Sequence, residues 1–194
     1  MAFGKLLIAN RGEIAVRIAR AANELGLKTV ALFAEDDSQS GHVYAADEAI
    51  ALKGSGAGSY LDIAGIIAAA QKAGCDAIHP GYGFLSENVD FARACADANI
   101  TFVGPSPKAL SLFGDKAAAR KLAEKEGVAL LPGTNKATSL EDVHAFFDKL
   151  GTSAAVMIKA LAGGGVRGMR PVLAKGDIDE AYARCQSEAQ AAFG

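Results

Sequence analysis

Residues 159–170 of this 194-residue chain, KALAGGGVRGMR, carry one lysine, two arginines and four glycines. Glycine in series costs chain entropy and removes side-chain bulk, so the run suits a backbone that must approach something closely. The backbone N–H groups of a glycine-rich hairpin can form an anion-binding concavity. Lys159, at the end of the strand entering it, can set a cation against the same phosphates. A pliable hairpin with a solvated lysine is the competing reading. The run lacks the GxxxxGK[ST] order of a P-loop, and it opens no helix as the dinucleotide fingerprint requires. The first strand-to-helix turn, ANRGEIA, holds only Gly12. A phosphate flap fits best.

Two further groups could do chemistry. FGDKAAARK places Lys116 after Gly114 and Asp115, at the start of a helix, where the dipole favours anions. Asp115 is a plausible N-cap there, and an ordinary surface lysine is the alternative. HPGYGFLSEN, over 79–88, crowds His79, Tyr82, Ser86 and Glu87 into one loop. The loop follows an expected strand, at the sheet end where open α/β folds meet their ligands. A histidine in such a place can equally be a structural hydrogen-bond partner.

The elements that must position these groups alternate. Short apolar runs predict buried parallel strands over 5–9, 28–34, 47–52, 75–80 and 100–104. Between them, helices are expected over 12–26 (with Ile14, Ile18, Ala21, Ala22 and Leu25 as its apolar stripe), 59–74 and 87–99. Strand–helix alternation with short connections implies an α/β fold with a doubly wound parallel sheet. After Pro105 the pattern changes to a helical stretch over 106–127, broken at Gly114, and an extended linker over 128–134. Helices over 139–150 and 178–192 then flank strands over 155–160 and 170–174. The expected domains are 1–113, a helix and linker over 114–134, and 135–194. Two strands and two helices make a poor core, so this last unit reads as incomplete.

Composition narrows the function classes. Hydrophobic residues make up 51% and charged residues 22%, with a net charge of −2. That balance offers no basic face to nucleic acid or an anionic membrane. No segment reaches the roughly 20 apolar residues of a membrane span, and the first residues do not read as a signal peptide. Cys75, Cys95 and Cys185 show no CxxC spacing, which suggests reduced thiols in a cytoplasmic protein.

KLLIANRGEIAVRIARAANELGLKTVA, ADEAIAL, HPGYGFLSEN, FVGPSP, GDKAAAR and GGGVRGMR, in that order, resemble the N-terminal part of biotin carboxylase. This is the ATP-grasp component of carboxylases acting on acyl-CoAs, pyruvate or urea. The resemblance spans essentially all 194 residues. It implies a pre-ATP-grasp, Rossmann-like domain followed by an incomplete α+β ATP-grasp lid subdomain. The implied enzyme is a ligase that uses ATP, Mg2+ and bicarbonate to carboxylate biotin, borne on a carrier domain, through carboxyphosphate. By matching position, Lys116 and Lys159 contact ATP phosphates, with Gly163, Gly164, Gly165 and Val166 in the lid loop. The resemblance implies no catalytic residue or metal ligand within these residues, since those groups belong to a third domain, and hence a chain inactive alone. It also implies a homodimer through the first helix, at Arg20 and Glu24, although an i,i+4 pair is more simply a solvated helix-face interaction. A non-catalytic dimerisation or scaffold module and a different ATP-grasp ligase are the competing functions. The family loop has glycine where this chain has Val166. A β-branched residue at positive φ costs about 1–3 kcal/mol, so tighter nucleotide binding is expected of Val166→Gly.

Overall fold

The computed structural model describes residues 3–134, 136–151, 155–160 and 168–193. Two compact units divide the chain, 1–115 and 116–194, and each has its own sheet.

The first unit runs β1 (Lys5–Ile8), α1 (Gly12–Glu24), β2 (Lys28–Phe33), α2 (Gly41–Ala45), β3 (Glu48–Ala51), α3 (Ile63–Lys72), β4 (Ala77–His79), α4 (Val89–Asp97), β5 (Thr101–Phe102) and α5 (Pro107–Gly114). The strands lie in the order β3-β2-β1-β4-β5, every neighbouring pair parallel. This is the doubly wound arrangement expected from the alternation. Side chains alternate along a strand. Leu7, Val30, Leu32 and Ile78 therefore enter one layer, with Ile66 and Ala70 of α3 and Phe91 and Cys95 of α4. Leu6, Ile8 and Ala77 enter the opposite layer, against Ala15, Ile18, Ala19 and Ala22 of α1. All three cysteines are free and buried, and burial pushes the Cys75 and Cys95 thiols up to about 11.

The stripe of α1 is rotated from the expected one. Ala15 and Ala19 are buried with Ile18 and Ala22, whereas Ala21 is exposed and Leu25 is 64% exposed. Small residues let the helix backbone lie close to the sheet, and the larger Leu25 falls past that contact. The helix expected over 59–74 is two pieces, a 3-10 turn (Ala57–Leu61) and α3, divided at Asp62. The Asp62 carboxylate accepts the Gly65 N–H and caps α3, a local bond that stops the longer helix from forming. The helical stretch after Pro105 breaks at Asp115, whose backbone is extended, one residue beyond Gly114.

The second unit contains α6 (Lys116–Lys125), α7 (Leu140–Leu150), β6 (Val156–Lys159), β7 (Met169–Val172) and α8 (Ile178–Phe193). A capping box between Ser139 and Asp142 starts α7. Its Val143 and Phe147 pack with Val172, Ile178 and Ala181, and Val156 and Ile158 of β6 lie against that cluster. By contrast, α6 buries no side chain. The strand expected over 170–174 begins earlier, at Met169, and ends at Val172.

Candidate functional site

In the second unit, β6 and β7 are antiparallel with Val156↔Val172, Met157↔Pro171, Ile158↔Arg170 and Lys159↔Met169 as partners. Directly opposed residues share a sheet face. Val156, Val172, Ile158 and Arg170 form the face turned to the helices. Met157, Pro171, Lys159 and Met169 form the other, and there Met157, Pro171 and Lys159 are exposed. Met169, the fourth, is half-buried. Its exposed positions are apolar at Met157 and Pro171 and end in the Lys159 ammonium.

Lys159 is the last residue of β6, at the strand end where the sequence put it. Lys116 is the first residue of α6 and is exposed. Gly163, Gly164, Gly165 and Val166 lie outside the described residues. Met157, Met169 and Pro171 were not expected at the site. Their membership depends on strand register, and the glycine-rich connection has no short turn signal that would fix it. Arg170 belongs to the helix-facing side, where its guanidinium pairs with Glu188 of α8.

The first unit holds a buried polar network at the carboxyl ends of its strands, around Asp37. Asp37 is 6% exposed, and its carboxylate is the hub. It accepts a two-point bond from the Arg11 guanidinium, a bond from the Tyr60 hydroxyl at 2.8 Å and one from the Ser40 hydroxyl at 3.0 Å. Arg11 holds its carboxyl far below the usual carboxylate range, more than offsetting burial. Burial, then the neighbouring Asp37, pushes Tyr60 up to about 12, so the phenol stays a donor. His42, 1% exposed, faces Leu32 O through Nε2 at 3.0 Å and Gly12 N through Nδ1 at 3.4 Å. A carbonyl accepts and an amide donates, so the proton sits on Nε2. His42 thus closes the start of α1, which has no side-chain cap from its own N-cap residue Arg11. Burial lowers its pKa.

One side chain just past β1, that of Asn10, fastens the loop over 79–88. Asn10, 2% exposed, donates through Nδ2 to Pro80 O at 2.7 Å and to Tyr82 O at 2.8 Å. Gly81 is in the left-handed region (φ +66°), and a Cβ there would stand 2.7 Å from Asn10 Nδ2. His79 is a local partner, its Nδ1 accepting the Gly81 N–H at 3.0 Å, and burial lowers its pKa. Tyr82 and Glu87 are exposed. Asn10 was missed because its partners are backbone carbonyls some 70 residues away, which no spacing reveals.

On the outer side of α1, Arg20 and Glu24 line a shallow groove with Glu13, Val16, Arg17 and Ala21. Among the described residues no group of three or more His, Cys, Asp or Glu side chains could hold a metal ion. Nor, among the described residues, is any helix long and apolar enough to cross a membrane.

The biotin carboxylase N-terminal domain family model matches residues 2–110. The chain belongs to that family. Residues 115–194 match the ATP binding domain of the carbamoyl-phosphate synthase L chain. Pyruvate carboxylase of Bacillus subtilis is 52% identical over 194 residues, covering 98% of this chain and 17% of that protein. A biotin carboxylase from Campylobacter jejuni, solved as a β-γ-ATP complex, superposes with a TM-score of 0.92 at 42% identity, over 99% of this chain and 43% of that one. The biotin carboxylase domain dimer of Hydrogenobacter thermophilus 2-oxoglutarate carboxylase, in complex with MgADP, ADP and bicarbonate, gives 0.89 at 40% identity, over 100% and 43%. The chain therefore spans less than half the length of these relatives.

Proposed function

We propose that these residues supply the first domain and the nucleotide-gripping sheet of a biotin carboxylase, a ligase that spends ATP to carboxylate biotin with bicarbonate. The observation that carries the reading is the largely exposed β6–β7 face, where Lys159 stands opposite Met169 beside Met157 and Pro171. Thioether and proline surfaces suit the faces of an adenine ring, and Lys159 suits its phosphates as a point charge. Lys116 adds a second cation at the first turn of α6, with Gly163, Gly164, Gly165 and Val166 as the loop over the phosphates. Charge that builds between the γ-phosphoryl group and its attacker is then met by fixed cations, which is how phosphoryl transfer is mostly catalysed. Mg2+ would arrive on the phosphates and screen the same charge. Bicarbonate and carrier-borne biotin are the remaining substrates.

The experiment is calorimetric titration of the 194-residue chain with MgATP, alongside Lys159→Ala. Binding that weakens about tenfold or more in the variant supports the reading. Equal affinities, or no heat from the wild-type chain, overturn it. The outer groove of α1, lined by Arg20 and Glu24 together with Val16 and Ala21, is the proposed contact to a second copy. Sedimentation of Arg20→Glu against wild type tests this, with a shift toward monomer expected and an unchanged distribution contradicting it.

A further inference from the structure

We infer that Glu188, on α8, is a positioning residue for the nucleotide face, setting the register that puts Met169 opposite Lys159. This rests on the nucleotide reading given above. Its carboxylate reaches the start of β7 at two points. One oxygen, Oε2, accepts the Gly168 N–H at 3.3 Å. The other, Oε1, takes the Arg170 guanidinium. Cys185, one turn earlier on the same helix, donates its thiol to Gly168 O at 2.7 Å. That carbonyl also accepts the Ala160 N–H at 2.8 Å, closing the ladder beyond Lys159. Gly168 is itself left-handed (φ +72°), and a Cβ on it would meet Ala160 Cβ at 3.0 Å. The turn into β7 is thus held from α8 on both its N–H and its C=O.

The need for such an anchor follows from the sheet. A ladder of four residue pairs, joined by a connection rich in glycine, has few contacts to fix its register beyond those of its buried face. A slip of one residue turns every side chain to the opposite face. Arg170 would then move onto the face of Lys159 and Met169 into the helices. Holding Arg170 on the α8 side through Glu188, with Val172 fully buried beside it, excludes that slip. Arg170, one of the two arginines in the run that first suggested phosphate binding, therefore acts on this site through the fold.

The test compares Glu188→Ala, Glu188→Gln and Val143→Ala in the 194-residue chain by MgATP titration and by amide hydrogen exchange without nucleotide. Glu188→Ala should weaken MgATP binding about tenfold and speed exchange at Ala160 and Gly168, leaving α7 amides unchanged. Glu188→Gln keeps an acceptor for Gly168 and should lose about threefold. Val143→Ala should lower thermal stability of the unit yet hold MgATP affinity within about twofold. Wild-type affinity in both Glu188 variants, or an equal loss in Val143→Ala, overturns the positioning role while leaving the nucleotide reading standing. A wild-type chain that binds no MgATP overturns the nucleotide reading, and the role of Glu188 in that site with it.

Discussion

The two units spend their apolar residues differently. In the first, both faces of a five-stranded parallel sheet carry a packed layer, and even Asp37, Tyr60 and His42 of its polar network are buried. In the second, a two-stranded sheet packs one face on the helices and leaves Met157 (48% exposed), Lys159 and Pro171 of the other exposed, and α6 buries no side chain. A sheet packed on both faces gives stability, and one with exposed positions gives a place to bind. The contrast teaches that stability and affinity should respond to substitutions in different halves of the chain.

The largest effect expected from that contrast is Phe91→Ala. It empties a site at 0% exposure in the first unit and should cost about 3–5 kcal/mol, read from the denaturant midpoint. Asp37→Asn comes next. It removes the charge that binds the half-exposed Arg11 and the buried Tyr60 hydroxyl, and about 2–3 kcal/mol is expected by the same measurement. Gly81→Ala should cost about 1–3 kcal/mol, from a left-handed backbone and the approach to Asn10. A smaller effect is pH-dependent. The folded pKa of His42 lies below its ordinary 6.5, so the unfolded chain takes up the proton first. Its contribution to stability is then intact above about pH 6.5 and declines as pH falls toward the lowered value. Thermal melts of His42→Gln should show a shallower decline than wild type over that range. At the bottom of the scale, Met157→Ala and Lys159→Ala should shift stability by under about 0.5 kcal/mol while weakening MgATP binding. A large stability loss at either residue would erase the contrast.

The first unit was legible because its strands are continuous apolar runs, KLLI and TVAL among them, separated by glycine stops. What escaped was local or distant. The helix α2 is only five residues long, too short for a periodic signal. The division at Asp62 is a single side-chain bond. The rotated stripe of α1 is made mostly of alanines, which size-based patterning undervalues. In the second unit Lys159 was legible as a strand-end cation, because burial is not needed to place it. Met169 was not, since starting β7 one residue late removes it from the strand and hides its partnership with Lys159. Glu188 was invisible for the same reason as Asn10: each works on backbone groups far away in sequence.

The most direct test of the central claim is an amide chemical-shift map of the 194-residue chain on addition of MgATP. Shifts concentrated at Lys116 and over 157–170, with α3, α4 and the 79–88 loop unmoved, are the predicted result. Shifts centred on the first unit, around Arg11 or the 79–88 loop, would contradict it and move the binding site to the five-stranded sheet.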